Sequence, residues 1–175
     1  MIKLNKDQAR AIKNAAELDG LSMADKKILI KMVEDLNGKD QIIKLFVDGA
    51  ADLHSKTAGI GGVIFSNNKE LSNFSEPLFD KTNNEAEYLA LIKGIENLIE
   101  LKVLSAEIYA DSELVVKQVL GIYKVKNERM KILHNLVLEK LKHIDQWNLV
   151  HIRREKNIRA DELSKLGMNK AKSEK

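Results

Sequence analysis

The stretch Lys44-Leu45-Phe46-Val47-Asp48-Gly49 decides how the chain folds. Four residues with apolar or aliphatic stems run into one carboxylate, and a glycine follows at once. Such a run reads as a buried central strand bounded by a turn residue. Asp48 is then expected to end the strand, at or near its inner face. A charge is expensive there, and buried carboxylates are paired, hydrogen-bonded or bound to a metal ion. The partners of Asp48 must come from elsewhere in the chain.

At 175 residues there is room for one domain of typical size and a small appendage. Hydrophobic residues make up 44% and charged residues 31%, as in an ordinary globular protein. The net charge of +3 and the pI near 8.9 permit an anionic partner without demanding one. The absence of cysteine excludes disulfides, thiolate metal sites and thiol nucleophiles. There is no apolar run of about 18 residues and no charged-then-apolar leader, so no membrane association and a cytoplasmic location are expected.

Residues 1–40 read as a helical appendage. Asn5-Lys6-Asp7 could cap a helix through about Glu17, with Ala9, Ile12 and Ala16 on one side and Asp19-Gly20 as its break. Ser22 followed by Asp25 resembles an N-cap with an acidic first turn. Ile28, Leu29, Met32, Val33 and Leu36 then recur at helical spacing, and Asn37-Gly38 closes the second helix. Eight Lys/Arg against seven Asp/Glu up to residue 40 do not make a polybasic arm.

From Ile42 the pattern changes to strands. Residues 42–48, 58–65 and 70–78 suggest an antiparallel meander, and the glycines of Ala58-Gly59-Ile60-Gly61-Gly62 suggest close approach of another backbone. A long helix from Asn84 to about Glu100 follows. Strands at 104–110 and 147–153 alternate with helices at 112–120, from Asn127 to about Ile144, and at 157–166. Strands alternating with helices pair in parallel. The expected fold is α/β, a mixed five-stranded sheet flanked by helices, over residues 41–168. Residues 169–175 are expected to form a polar tail.

Four carboxylates stand out by position. Asp48 ends the first strand and Asp111 the fourth, while Glu87 and Asp161 each lie about one turn into a helix. Strand ends and first turns of a mixed sheet can converge on one edge. Clustered carboxylate oxygens are what Mg²⁺ prefers. Two such ions about 4 Å apart can clamp an in-line phosphoryl transfer. Without metal, the four charges would raise one another's pKa values. Any one of these acids alone reads as a helix-terminal or solvated charge. Glu85 and Glu162 lie beside predicted ligands, yet on a helix such neighbours point elsewhere. Trp147 and Tyr88 read as core residues rather than stacking platforms.

The chain from about Ile42 to Leu166 resembles the type 1 ribonuclease H family. The matching strings are Phe46-Val47-Asp48-Gly49, Thr82-Asn83-Asn84-Glu85-Ala86-Glu87-Tyr88, Ala110-Asp111-Ser112-Glu113-Leu114-Val115-Val116 and Asn157-Ile158-Arg159-Ala160-Asp161-Glu162-Leu163-Ser164, in family order. The resemblance implies a ribonuclease H-like fold. It also implies hydrolysis of the RNA strand of RNA–DNA hybrids by two Mg²⁺ ions assembled with substrate, or Mn²⁺ in their place, leaving 5′-phosphate and 3′-hydroxyl ends. Asp48 would bridge both ions, Asp161 would complete the water-activating site, and Glu87 and Asp111 the other. Thr82, Asn83, Asn84, Gly49 and Ser112 are the implied substrate contacts. Asn83 and Asn84 would read the minor groove and its 2′-hydroxyls. Double-stranded RNA is a second possible substrate, and a monomer is expected.

Three departures from the family stand in the sequence. Residues 150–157 are too short for the loop that carries a histidine in many members. His151 reads as part of the last strand, leaving Arg153 or Arg154 as an electrostatic substitute. Glu113 stands where some members have a hybrid-contacting glutamine. The basic handle of some bacterial members is absent around Leu120 to Arg129, where Lys124, Lys126, Arg129 and Lys131 give only a modest patch. Weaker phosphate contact follows, and the N-terminal hairpin is a candidate to compensate. Rival readings are a DNA nuclease of the same superfamily, a non-catalytic hybrid- or double-stranded-RNA-binding protein, and a structural module serving a partner. The Asn83-Asn84 string argues against the first, and the four carboxylates against the second.

Overall fold

The computed structural model of the chain describes residues 6–18, 20–37 and 43–174. They fall into two compact units, Met1–Gln41 and Ile42–Lys175. In the first, α1 (Lys6–Glu17) and α2 (Met23–Asn37) pack on each other as a hairpin. Gly20 makes the reversal at φ +106°, a conformation costly for other residues. Ser22 caps α2: its Oγ accepts from the Asp25 amide at 3.1 Å and donates to the Asp25 carboxylate at 2.7 Å. Ala16 and Val33 are buried, whereas Ile28 and Met32 are exposed. Two helices of this length cover only one flank of each other's apolar stripe. The expected signals at Asn5, Asp19, Gly38 and Ile42 lie outside the described residues, as do the side chains of Ala9 and Leu36.

The second unit is built on β1 (Ile43–Asp52), β2 (Thr57–Ser66), β3 (Lys69–Phe79), β4 (Ser105–Ala110) and β5 (Gln146–His151). Their order in the sheet is β3-β2-β1-β4-β5. The first three form the antiparallel meander, and β1, β4 and β5 run parallel, as the alternation with helices predicts. The helices are α3 (Asn83–Glu100), α4 (Glu113–Val119), α5 (Glu128–Leu141) and α6 (Ile158–Ser173).

Side chains alternate across a strand, and β1 uses both faces. Leu45 and Val47 point at α3, where they press on Gly94 and join a core with Leu91, Ile95, Leu98 and Ile108. Tyr88 is fully buried, and its hydroxyl donates to Gln118 Oε1 at 2.8 Å. Trp147 also packs against this core. The next position, Asp48, points to the other face, at α6.

Three expectations are corrected. Asp48 does not end β1; the strand continues four residues further, to Asp52. Gly49 is not a turn residue but a contact point. A Cβ there would lie 2.3 Å from Ala86 C and Glu87 N, in the backbone of α3. The polar tail expected at residues 169–175 is instead the last turns of α6, described to Ser173. Ala171 is fully buried and Lys172 pairs with Asp52 at 2.7 Å. The polar letters there are the outer side of an amphipathic helix.

The close approach suggested by the β2 glycines is made by α6. Gly61 stands directly across from Asp48 in the β1–β2 ladder. A Cβ on Gly61 would meet Ser164 N at 2.2 Å and Leu163 C at 2.6 Å. Those atoms are backbone and cannot swing aside. Gly61→Ala should therefore lift α6 from the sheet and cost about 3 kcal/mol. Chemical denaturation of the two proteins side by side measures that difference.

Candidate active site

The β1–β4 ladder ends at the pair Val47–Ala110. One residue further on each strand come Asp48 and Asp111, so parallel pairing sets the two acids side by side. β1 has no β4 partner beyond this point. The Gly49 amide donates instead to Glu87 Oε2 at 3.3 Å, across the close contact that its missing side chain allows. Carboxylate oxygens of Asp48, Glu87 and Asp111 all lie within 4.8 Å of one another. Asp48 and Glu87 are 3% and 7% exposed, and Asp111 is half-buried.

Asp161 lies in the first turn of α6 and has different company. Arg154 reaches it from a short 3-10 turn, Arg154–Lys156, donating Nε at 2.9 Å and also Nη2. Lys165, one turn further along α6, donates to its other oxygen at 2.6 Å. The group of three oxygens thus forms without Asp161, whose charge is felt at Asp48 but whose oxygens are occupied by two protein cations.

These surroundings set the proton affinities. Burial pushes the Asp48 carboxyl up to about 7, a shift the charges of Asp111 and Asp161 increase and the Ser164 hydrogen bond opposes. Burial, then the charges of Asp48 and Asp111, push Glu87 to about 9. Burial would raise Asp161 too, but the bonds from Lys165 and Arg154 outweigh it and hold the group below its ordinary value.

Other sequence-predicted residues stand close by in chain order. Thr82 is the N-cap of α3 in a reciprocal capping box: its Oγ1 accepts from the Glu85 amide at 3.3 Å, and its amide donates to Glu85 Oε2 at 2.9 Å. Glu85 is thereby turned back on the cap and away from the acid cluster. Glu162 likewise pairs with Arg159. Asn83 and Asn84 are exposed in the first turn of α3, and Ser112 caps α4. His151 is the last residue of β5 and is exposed. Glu113 pairs with Lys117 on the surface.

Two residues of the site escaped the sequence reading. Ser164 is fully buried, donates to Asp48 Oδ2, and sits 2.9 Å from the Asp161 carbonyl. Its signal was available: three residues after Asp161 on a helix is the same face. Asn157 is 1% exposed, and its Nδ2 donates to Val47 O at 2.9 Å, tying the start of α6 to the strand that carries Asp48. No local pattern marks a contact 110 residues apart.

The donor set of Asp48, Glu87 and Asp111 is all oxygen, anionic and close. That suits a hard divalent cation such as Mg²⁺ or Mn²⁺. Inner carboxyls that retain protons are the expected state of such a site before a cation replaces them.

Residues 46–167 match the reverse transcriptase-like family. Ribonuclease HI of Halobacterium salinarum is 28% identical over 130 residues, covering 74% of this chain and 65% of that one. The protein YpeP of Bacillus subtilis is 35% identical over 150 residues, covering 79% of this chain and 64% of that one. The chain thus spans about two thirds or less of these curated relatives. Among solved structures, the N-terminal ribonuclease H domain of Rv2228c from Mycobacterium tuberculosis superposes with a TM-score of 0.73 at 27% identity, over 77% of this chain and 99% of that one. LC11-RNase H1, solved in complex with an RNA/DNA hybrid, superposes with a TM-score of 0.69 at 37% identity, over 74% of this chain and 98% of that one. With its sheet order, its helices and its sequence in agreement, the chain belongs to the reverse transcriptase-like family and carries a ribonuclease H-type domain.

Proposed function

We propose that this chain is an endoribonuclease that hydrolyses the RNA strand of RNA–DNA hybrids and leaves 5′-phosphate and 3′-hydroxyl ends. The observation that carries the reading is the convergence of Asp48, Glu87 and Asp111 oxygens within 4.8 Å, with Asp161 adjoining. The family and the hybrid-bound LC11 relative support the substrate class. Asp48, Glu87, Asp111 and Asp161 would hold two Mg²⁺ ions, or Mn²⁺ in their place, when substrate is bound. Such ions supply activation of water and charge stabilisation at the departing oxygen.

The chain's own residues do the remainder. Asn83 and Asn84 are exposed in the first turn of α3, one turn before Glu87 in the chain, where they would meet base edges and the 2′-hydroxyls that mark RNA. Thr82 at the positive end of α3 suits a phosphate of the DNA strand. Gly49 lets α3 lie against β1 and offers its amide to Glu87. Ser112 fixes the direction of the chain immediately after Asp111 by capping α4. Ser164 and the Gly49 amide orient the Asp48 and Glu87 carboxylates by hydrogen bonds.

Cleavage of one end-labelled RNA, annealed to DNA or to RNA, tests this reading. The hybrid should be cut with Mg²⁺ and not with chelator, and Asp48→Asn should lose on the order of a thousandfold in rate. Binding without cutting would make the chain a non-catalytic hybrid-binding protein. The RNA duplex lane shows whether one ribose strand suffices.

The proton affinities give a second test. Asp48 and Glu87 hold protons up to about 7 and 9 in the folded chain, but only to about 4 when unfolded. Between those limits the folded state binds more protons, so stability falls as pH rises. In chelator, the Tm should drop from pH 6 to pH 9. Glu87→Gln removes a carboxyl that must take up a proton on folding and should raise the Tm at pH 8.5 by on the order of 5 °C. Added Mg²⁺ should stabilise the wild type and not this variant. A Tm that is flat from pH 6 to 9 and unmoved by Glu87→Gln would contradict the electrostatics described.

A further inference from the structure

Asp161 differs from the other three acids in one respect: the protein already supplies its counter-ions. Its carboxylate is 14% exposed, and both of its oxygens are engaged, one by Arg154 and the other by Lys165. The two cations differ in kind. Lys165 is on α6 itself, four residues on, and moves with Asp161. Arg154 comes from the 3-10 turn that precedes α6, and its side chain is 65% exposed. A guanidinium at the end of an exposed stem can leave without disturbing any packed element. Its Nε and Nη2 converge on one Asp161 oxygen, while Lys165 makes a single bond to the other.

A divalent cation needs carboxylate oxygens that are free of other positive charges. Asp48, Glu87 and Asp111 have no ion pair among the described residues, although the Arg154 charge reaches them from its place on Asp161. Asp161 does not meet that condition, because any cation joining it must displace Arg154 or Lys165, and Arg154 is the one on a separate, exposed turn. We infer that Arg154 is a resident counter-ion that keeps Asp161 out of the cation site until an anion, a phosphate of the nucleic acid strand, draws the guanidinium away. Arg154 is thus a positioning residue that makes full assembly of the site conditional on substrate. This inference rests on the proposed cation site. It extends that reading by assigning a role to the cation standing where the family's loop histidine is missing.

The test reads cation binding, not turnover. Free Mn²⁺ is followed by electron paramagnetic resonance during titration of the full chain without nucleic acid. The proteins are wild type, Arg154→Gln, Arg154→Lys, Lys165→Gln and the Arg154→Gln/Lys165→Gln pair, each checked for folding by circular dichroism. Wild type should bind a first ion more tightly than any second. Arg154→Gln should tighten the weaker step about tenfold or more, the double variant further, and Arg154→Lys should stay near wild type. A short phosphodiester oligonucleotide added to wild type should tighten that same step and do little in Arg154→Gln. If wild type binds Mn²⁺ while the neutral variants superimpose on it, the role given to Arg154 is wrong and the cation site stands. If wild type and the neutral variants all fail to bind Mn²⁺, the underlying site is wrong and the inference falls with it.

Discussion

Backbone contact between helix and sheet is the constraint on which the site depends. At Gly49 and Gly61 a single added carbon would fall 2.2–2.3 Å from helix backbone. α3 and α6 therefore come down on opposite faces of β1 more closely than side chains normally allow. The first contact delivers Glu87, and the second lays Ser164 over Asp48. The parallel β1–β4 register supplies Asp111 without further help. Asn157 ties the other end of the arrangement to Val47 O, so the acid on α6 is held to the same strand.

That closeness has an electrostatic cost. Asp48 and Glu87 lose most of their water, and their neighbours carry the same charge. Protein interiors do not hold such groups ionised and alone. Two remedies operate here, side by side. The inner acids keep protons well above the ordinary carboxylate range. Asp161, nearer the surface, stays ionised and takes Arg154 and Lys165 as partners. A cluster held in this way sacrifices stability for binding capacity, as functional sites commonly do. A hard cation would relieve both strains at once.

Much of this was legible in the residues, and the failures are instructive. Three of the acids could be read because each sits just past the end or near the start of an element whose period is local. Asp48 could be read because a carboxylate that closes an apolar strand run is costly to bury. The meander and the parallel strands follow from connection length alone. Glu85 could be set aside because a residue two positions from Glu87 on a helix points elsewhere; its reach back to the Thr82 cap shows where it goes instead. Gly49 was misread as a turn, since a glycine after a strand-like run has the same letters whether the chain reverses or another backbone leans on it. Only the tertiary contact with Ala86 distinguishes the two. The last turns of α6 looked like a tail because one buried alanine, Ala171, is a faint signal among lysines. Asn157 was invisible as a fastener because its partner lies far away in sequence.

The central claim is that glycine-permitted packing brings Asp48, Glu87 and Asp111 into one cation site. Anomalous X-ray scattering from crystals of the full chain soaked in Mn²⁺ tests it most directly. The account predicts an anomalous peak in contact with oxygens of all three residues. It also predicts loss of that three-residue contact in Gly49→Ala, where the added Cβ would push α3 and Glu87 off the strand. Manganese bound elsewhere, or touching only one of the three acids, would contradict it.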